Sequence, residues 1–237
     1  MEAEKQTRTG VLYVVATPIG NLEDITRRAL GILREADWIA AEDTRHTRKL
    51  LARHEIARKH LESFHDHNKE RRTPGLLERL RRGEQGALVS DSGTPGISDP
   101  GYYLVRRAVV SGISVVPIPG PSAFVAALSA SGLPTDRFAF EGFLPVKSGR
   151  RRRRLEELAA EPRTVVVYES PHRIAKLLAE IQEWMGEREI VVVRELTKIH
   201  EEFLRGTARE VAEALTGERT RGEFVVLIAP PKAEPKS

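Results

Sequence analysis

A stretch rich in glycine and proline, residues 90–101 (SDSGTPGISDPG), constrains this chain more than any other feature. It follows a short apolar run, residues 87–89, and precedes a helical pattern over residues 102–111. Glycine adopts backbone conformations that other residues avoid, and proline fixes φ and removes a donor. An ordinary strand-to-helix turn capped by Asp99 needs far fewer such residues. We therefore interpret the stretch as a ligand loop at the end of a strand, where open parallel α/β sheets bind their ligands.

The composition limits the classes of protein to consider. The 237 residues are 40% hydrophobic, 5% aromatic and 30% charged, which suits one large or two smaller aliphatic α/β domains. No run approaches the ~18 apolar residues of a membrane-spanning helix, and the first residues lack an apolar signal core. Cysteine is absent, which excludes disulfides and thiolate chemistry. We expect a cytoplasmic protein with no membrane partner.

Short apolar, β-branched runs that alternate with helical patterns predict the α/β class. The predicted strands cover residues 11–16, 38–41, 87–89, 113–118, 138–143, 164–168, 189–194 and 223–229. A second glycine-proline loop, residues 119–122 (PGPS), is predicted to join an N-terminal domain, residues 10–119, to a C-terminal domain, residues 120–230. Residues 1–9 and 231–237 are predicted to be flexible termini.

The loop after the first strand, residues 17–26 (TPIGNLEDIT), has the strand–loop–helix form of a phosphate-binding unit. It contains neither GxGxxG nor GxxxxGK[ST], so we exclude NAD-type and Walker-type nucleotide sites. Asp24 is predicted to cap the helix that follows.

Two carboxylates, Glu42 and Asp43, stand where the second strand ends and a helix begins. One interpretation is structural, because Asp43 or Thr44 is a good N-cap and acids are favoured in a first helical turn. The other interpretation places both carboxylates beside the ligand loop as candidate catalytic groups. The residues alone leave both interpretations open.

No metal site is predicted. His65 and His67 would share one face of an extended strand, but no third ligand lies nearby in the sequence. The chain also lacks the HExxH and HxxxH spacings. A loop is the preferred interpretation of this segment.

A predicted helix contains five consecutive arginines: Arg150, Arg151, Arg152, Arg153 and Arg154. The net charge of the whole chain is only +4, and such runs are usually solvated helix faces. A run of this density also neutralises phosphates and releases their counterions. Together with Arg173, which follows His172 at a helix start, these arginines are our candidate RNA contacts.

Seven segments occur together and in order: VATPIGNLEDIT, AEDTR, SDSGTPGISDPG, PIPGPSA, FEGFLP, YESPHR and RELTKIHEE. The combination resembles the tetrapyrrole methylase-like superfamily of S-adenosylmethionine (SAM) enzymes over residues 11–229. Within it, the chain is most similar to enzymes that 2′-O-methylate a cytidine of 16S rRNA. The resemblance implies two α/β domains of tetrapyrrole-methylase type, SAM in the cleft between them, and a homodimer.

The resemblance also implies site residues. Gly93, Thr94 and Pro95 correspond to the superfamily's loop of GDP type, with Thr94 in place of the aspartate. The implied cofactor contacts are Pro18, Ile19, Asp91, Gly93, Thr94, Pro95, Ile97, Ser122, Ala123, Tyr168, Leu196 and Ala229. The carboxylates near predicted strand ends that could act as general base are Glu42, Asp43, Asp91, Glu169 and Glu195. Glu42, Asp43 and Glu169 are the catalytic candidates, and Glu42 or Asp43 is the first choice.

Three functions remain open. The preferred one is a SAM-dependent ribose methyltransferase acting on 16S rRNA of the small (30S) ribosomal subunit. The second is a methylase of the same superfamily that acts on a tetrapyrrole or another small molecule. The third is a non-catalytic RNA-binding assembly factor. Seven Phe, four Tyr and two Trp argue against the strongly aromatic bowl that a tetrapyrrole would need.

Overall fold

The computed structural model describes residues 9–231. The chain divides into two compact units, Met1–Ser122 and Ala123–Ser237. The boundary predicted from the sequence, after Pro119, lies in the loop that leads to this division. Apart from residues 9 and 231, the termini predicted to be flexible lie outside the described residues.

The first unit alternates strands and helices. In chain order they are β1 (Val11–Val15), α1 (Arg27–Glu35), β2 (Trp38–Ala41), α2 (Thr44–Arg53), β3 (Leu61–Ser63), α3 (Lys69–Arg81), β4 (Gly86–Val89), α4 (Gly101–Val110) and β5 (Ser114–Ile118). The strands form one sheet in the order β3-β2-β4-β1-β5, and every neighbouring pair is parallel.

Helices cover both faces of this sheet, so β2 and β4 are buried along their whole length. Side chains alternate between the faces, and successive residues of β2 accordingly join different clusters. One cluster contains Leu80 of α3 and Leu104 of α4. The other contains Leu33 of α1 and Leu51 of α2. Helices α1 and α2 therefore lie on one face, and α3 and α4 on the opposite face.

Two helices of this unit, α1 and α2, begin with a side-chain N-cap. Thr26 caps α1 by accepting a hydrogen bond from the Ala29 N–H at 3.1 Å, so the prediction that Asp24 caps this helix is wrong. Asp43 caps α2 by accepting from the Arg45 N–H at 2.8 Å. The structural interpretation of Asp43 is thereby confirmed.

The second unit has a mixed sheet. Its elements are α5 (Ala123–Ser129), β6 (Phe138–Phe143), α6 (Ser148–Ala159), β7 (Thr164–Glu169), α7 (Ile174–Met185), β8 (Glu189–Arg194), β9 (Glu202–Thr207), α8 (Ala208–Ala214), a short 3₁₀ helix (Gly217–Thr220) and β10 (Phe224–Ile228). The strand order is β6-β7-β10-β8-β9. Only β6 and β7 are parallel, and the other neighbours pair antiparallel.

This sheet is also covered on both faces. Helices α6, α7 and α8 bring Leu155, Leu177 and Val211 to a large aliphatic cluster. Helix α5 brings Ala127 and Leu128 to a smaller cluster on the other face. Among residues 9–231, no helix is long and apolar enough to cross a membrane.

Candidate functional site

The loops that leave β1, β2, β4 and β5 start at the same edge of the first sheet, because these strands are parallel. Each loop carries residues that the sequence analysis selected. Ligands of open parallel sheets bind at this edge. Specific hydrogen bonds join the four loops to one another, as follows.

The loops after β1 and β4 are joined at Thr17 and Gly93. The Thr17 N–H donates to the Gly93 carbonyl at 2.9 Å, and the Gly93 N–H donates to the Thr17 carbonyl at 3.1 Å. The Thr17 hydroxyl donates to the Ser90 carbonyl at 3.1 Å. These bonds fix the start of the glycine-proline stretch against the extension of β1, next to Pro18 and Ile19.

Gly93 also lies against the loop after β5. Its φ is +84°, a region that side chains with a Cβ rarely adopt. A Cβ at this position would lie 3.4 Å from Cγ2 of Ile19 and 3.7 Å from the Pro121 carbonyl oxygen. The Thr94 hydroxyl donates to that same oxygen at 3.2 Å. The structure thus brings together Ile19, Gly93, Thr94 and Pro121, which directly precedes the selected residue Ser122.

The remaining selected residues of the stretch continue the same loop. Pro95 is buried, and Ile97 is 42% exposed. The Ile97 N–H donates to the Thr94 carbonyl at 3.3 Å, which closes a turn around Pro95. Ile97 is therefore a large apolar side chain held toward solvent by a tight turn.

Asp91 connects this loop to the end of β2. Its Oδ1 accepts a hydrogen bond from the Asp43 N–H at 2.8 Å. Its Oδ2 lies 3.5 Å from Nδ1 of His46 on α2. In this unit Asp91 positions the segment that carries Glu42 and Asp43.

The two adjacent carboxylates have opposite electrostatic environments. Hydrogen bonds from Arg45 hold the pKa of the Asp43 carboxyl well below its usual value. Partial burial raises the pKa of Glu42, and the nearby carboxylates of Asp91 and Asp99 raise it further. A general base is effective when its pKa lies closer to the working pH. Glu42 is therefore the better proton acceptor of the pair.

Asp99 closes the end of the stretch. Its Oδ1 accepts from the Gly96 N–H at 2.6 Å and the Gly101 N–H at 2.8 Å. Pro100 is the N-cap residue of α4 and its side chain makes no capping hydrogen bond. Burial raises the pKa of Asp99. Asp99 therefore holds the loop closed and also satisfies the N–H of Gly101, the first residue of α4.

In the second unit, four selected residues lie on the sheet face covered by α5. They pack against one apolar cluster: Ala123, Tyr168, Leu196 and Ala229. The Phe124 N–H donates to the Tyr168 hydroxyl oxygen at 3.3 Å. The Tyr168 ring packs edge-on against Phe140, with centroids 5.1 Å apart, and burial raises its pKa.

Leu196 lies on a strained connection between β8 and β9. Glu195 before it and Thr197 after it have φ of +50° and +65°. Oε1 of Glu195 accepts from Lys198 Nζ at 2.9 Å and from the Glu223 N–H at 3.0 Å. Residues held in this sparsely populated region are enriched at ligand sites, which supports the selection of Leu196.

Comparison with known proteins identifies the family. The sequence matches the family model described as tetrapyrrole (corrin/porphyrin) methylases over residues 11–212. The chain belongs to this family. The resemblance inferred from the sequence motifs is therefore confirmed.

Individual relatives in the family have a more specific name than the family itself. The chain is 52% identical over 221 residues to ribosomal RNA small subunit methyltransferase I of Synechocystis sp., covering 93% of this chain and 79% of that protein. It is 52% identical over 219 residues to the protein of the same name from Halalkalibacterium halodurans, covering 92% and 75%. The match thus extends over nearly all of both units described above.

Solved structures of tetrapyrrole methylases share the fold. The methyltransferase CobJ matches with a TM-score of 0.70 and 20% identity, covering 97% of this chain and 98% of that chain. A uroporphyrin-III C-methyl transferase from Thermus thermophilus, complexed with S-adenosyl homocysteine, matches with a TM-score of 0.64 and 22% identity, covering 92% and 97%. The predicted tetrapyrrole-methylase fold with two α/β units is confirmed.

In this member of the family, the structure contradicts one of the three catalytic candidates, Glu169. The Glu169 side chain is fully buried within the second unit. Its Oε2 lies 3.1 Å from Arg151 Nη1, and its Oε1 lies 3.4 Å from Arg173 Nε. The prediction that Glu169 acts as a base is wrong, because an enclosed carboxylate paired with two guanidinium groups cannot reach a substrate hydroxyl.

One of the candidate RNA contacts, Arg151, is wrong for the same reason. Arg151 is 1% exposed and pairs with Glu169 and Glu180. Its guanidinium group holds α6 and α7 against the end of β7 and is not free for phosphate. Arg173 pairs with Glu169 and donates to the Leu144 carbonyl at 2.8 Å, but its side chain is 25% exposed, so its RNA contact stays a prediction.

The exposed members of the arginine run are mostly neutralised locally. Arg152 pairs with Glu156 at 3.0 Å, and Arg153 pairs with Glu157 at 3.4 Å. Arg154 pairs with Glu141 at 2.6 Å and with Glu157 at 2.7 Å. Within the described residues, Arg150 alone of the run has no carboxylate within salt-bridge distance. The run offers far less free positive charge than its sequence suggests.

The histidine pair forms no recognisable metal centre. The rings of His65 and His67 are 5.9 Å apart and pack edge-on. Among residues 9–231, no group of three or more His, Cys, Asp or Glu side chains is arranged to hold a metal ion.

Proposed function

We propose that this protein transfers a methyl group from SAM to the ribose 2′-oxygen of a cytidine in 16S rRNA of the small ribosomal subunit. The observation that carries the proposal is 52% identity, over 93% of the chain, to a protein named ribosomal RNA small subunit methyltransferase I. Membership of a family of methylases supports the reaction type. The ribose position and the cytidine are the finer parts of the proposal.

SAM is the proposed cofactor. The S-adenosyl homocysteine complex of the Thermus thermophilus relative supports this choice, because that compound is the demethylated form of SAM. The loops of the first unit suit such a ligand. Gly93 leaves open the space that a Cβ would fill beside Ile19 and Pro121.

We propose that main-chain groups and small side chains of these loops bind the cofactor: Pro18, Ile19, Gly93, Thr94, Pro95, Ile97 and Ser122. Asp91 supports them by fixing the end of β2. The second-unit residues Ala123, Tyr168, Leu196 and Ala229 remain proposed contacts, supported by their packing around one apolar cluster.

When bound, SAM supplies a methyl group on a positively charged sulfur. The ribose 2′-oxygen forms a bond to the methyl carbon as the carbon–sulfur bond breaks, and S-adenosylhomocysteine leaves. We propose that Glu42 accepts the hydroxyl proton, because its raised pKa makes it a stronger base than Asp43. General-base catalysis of this kind contributes roughly 10²–10⁴-fold to the rate.

The test uses 30S subunits from a strain that lacks the endogenous enzyme. We expect the purified protein and SAM to add one methyl group, which mass spectrometry of nuclease fragments locates on a cytidine ribose. A methyl group on the base would contradict the ribose assignment. Methylation of uroporphyrinogen with no methylation of 30S subunits would favour the small-molecule alternative, and calorimetry without SAM binding would favour a non-catalytic assembly factor.

The oligomeric state is a separate proposal. The resemblance implies a homodimer, and light scattering coupled to gel filtration measures the mass directly. A monomer at micromolar concentration would contradict it.

A further inference from the structure

Helix α2 and the segment after it form the most basic continuous stretch of the first unit. Residues 44–60 contain six lysines and arginines but a single carboxylate, Glu55. The cations are Arg45, Arg48, Lys49, Arg53, Arg58 and Lys59. The free charge here contrasts with α6, where most arginines are paired with glutamates.

Four of these cations have no acidic partner. Arg45 pairs with Asp43, and Arg53 pairs with Glu23. Arg48, Lys49, Arg58 and Lys59 have no carboxylate within 4.0 Å among residues 9–231. Lys59 donates to the Arg34 carbonyl at 2.7 Å, whereas Arg48, Lys49 and Arg58 are exposed. Unpaired surface cations attract polyanions because their charge is not compensated nearby.

A groove lies beside these cations, between the end of α2 and the edge strand β3. Its volume is about 570 Å³, within the range of roughly 300–1,000 Å³ found for small-molecule sites. Leu51 and Ile56 form a buried apolar floor, and Leu61 of β3 is half-buried beside them. Arg48 and Arg58 line the same groove, as do Lys59 and His60.

The chemistry of this groove matches single-stranded RNA. RNA-binding proteins hold phosphates with arginine and lysine and receive unstacked bases on apolar or aromatic surfaces. Here an apolar floor is bordered by cations, and the groove lining contains no carboxylate. An acidic peptide would also pair with the cations, but the proposed rRNA substrate favours RNA as the occupant.

The position of α2 relative to the proposed base adds a second argument. Helix α2 begins at Thr44, directly after Glu42 and Asp43. Each helical residue advances the axis by about 1.5 Å, so Arg48 lies about 6 Å along the helix from its start. The groove lies at the other end of α2, so an RNA strand bound along the helix would extend from the groove to the carboxyl end of β2.

We propose that α2 and the groove behind it are the RNA-docking surface of the first unit, with Arg48, Lys49 and Arg58 on phosphates and an unstacked base on the floor formed by Leu51 and Ile56. The proposal rests on the proposed rRNA substrate. It assigns RNA contact to a surface that sequence reasoning passed over in favour of the arginine run.

The test compares Arg48→Gln/Arg58→Gln with a matched control, Arg106→Gln/Arg107→Gln. The control removes two exposed arginines from α4, on the opposite face of the same sheet. Binding of a fluorescent single-stranded 16S rRNA fragment is measured by anisotropy at several salt concentrations. We expect the test variant to bind at least tenfold more weakly, and the slope of log K against log salt to fall by about 0.7 for each lost phosphate contact.

A second variant tests the groove itself without removing a cation. Ala57→Glu places a carboxylate in the groove lining at an exposed position, and we expect it also to weaken RNA binding. Calorimetry with SAM and the unfolding midpoint should not change in any of these variants.

Unchanged affinity and slope in Arg48→Gln/Arg58→Gln, or an equal loss in the α4 control, would overturn the inference. The proposed function is judged separately by the wild-type protein. If the wild type methylates no 30S subunit, that function is refuted. If Arg48→Gln/Arg58→Gln nevertheless binds RNA more weakly than the wild type, the groove is still supported as an RNA site.

Discussion

The main chains of Thr17 and Gly93 exchange two hydrogen bonds, one in each direction, at 2.9 and 3.1 Å. This isolated antiparallel bridge ties the glycine-proline stretch to the extension of β1. The two residues are far apart in sequence, so the bridge turns a long loop into a fixed surface. Because Gly93 has a φ of +84°, the geometry of the bridge depends on the absence of a side chain at that position.

Gly93→Val tests whether this surface binds the cofactor. Valine at a positive φ is strained, and its side chain would occupy space beside Ile19. We expect SAM affinity to fall at least 100-fold, measured by calorimetry, and stability to fall by about 1–3 kcal/mol.

The matched control for this prediction is Gly112→Val. Gly112 also has a positive φ, +69°, but lies in the turn between α4 and β5 with no atoms near its missing Cβ. It should lose similar stability and keep SAM affinity. Normal cofactor binding by folded Gly93→Val would remove the stretch from the site.

Glu42→Gln tests the assignment of the base. Glutamine keeps the shape of the side chain but accepts no proton, so we expect kcat to fall by about 10²–10⁴-fold while SAM binding is retained. Asp43→Asn is the control. It keeps an oxygen that can cap α2, where asparagine and aspartate are about equally favourable, and should change kcat by much less. Equal losses of kcat in the two variants would contradict the division of roles.

The pH dependence of methyl transfer follows from the pKa of Glu42. Burial and the neighbouring carboxylates raise this pKa above its ordinary value of 4.5. The base must be ionised to accept a proton, so the rate should fall as pH falls through the raised pKa. Asp91→Asn removes one of the charges that raise it, and should move this acid limb to lower pH. An acid limb that stays in place would show that another group controls it.

Asp99 should contribute a distinct pH dependence to stability. Burial raises its pKa in the native state above the ordinary value of 3.8, so the native state holds this proton more tightly than the unfolded chain. Its contribution is therefore most favourable below the unfolded pKa, and is lost as pH rises through the native pKa.

Asp99→Asn keeps an oxygen for the N–H groups of Gly96 and Gly101 and has no charge to bury. The stability of Asp99→Asn relative to wild type should therefore increase as pH rises from the unfolded-state pKa of Asp99 through its raised native pKa. Asp99→Ala leaves both donors without that acceptor and should lose about 1–3 kcal/mol at every pH. Urea unfolding from pH 3 to pH 8 measures both, and a flat difference between Asn and wild type would contradict the shift.

Arg151→Ala should lower the free energy of unfolding. It leaves the fully buried Glu169 carboxylate without its 3.1 Å partner, and breaking such a buried pair costs about 3–5 kcal/mol. Arg153→Ala is the control, because this side chain is 83% exposed in its pair with Glu157. It should cost less than about 1 kcal/mol. Urea unfolding followed by circular dichroism distinguishes the two, and equal small effects would contradict the buried network.

Most of the fold follows from patterns in the sequence. The predicted strands over residues 138–143 and 189–194 coincide with Phe138–Phe143 and Glu189–Arg194. The first shows aromatic residues at alternate positions and the second a β-branched run, and both patterns are typical of strands. Two strands were not predicted from the sequence. Leu61–Ser63 is too short to show a pattern, and Glu202–Thr207 is an edge strand with no fully buried residue. Each of these strands pairs with the strand that precedes it in the chain, β2 or β8, and it is this pairing, not an apolar pattern of its own, that makes it a strand.

The site was only partly predictable. Glycines and prolines marked the loops correctly as fixed backbone, since Gly93 and Gly96 both have positive φ. The roles of charged residues were harder, because they depend on which partner the fold supplies. The spacing of Glu156 and Glu157 four residues after Arg152 and Arg153 was a readable signal of local pairing. The burial of Arg151 against Glu169 had no such signal.

The position of β1 between β4 and β5 affects how the chain folds while it is being made. Val11–Val15 leaves the ribosome well before the strands on its two sides, Gly86–Val89 and Ser114–Ile118. During that interval a β-branched apolar segment has no native neighbour to cover it, which is the condition that favours chaperone capture or aggregation of nascent chains. The first unit can complete its sheet only after Ile118 has emerged, so β1 is made before both of its neighbours and is covered only when the last of them arrives.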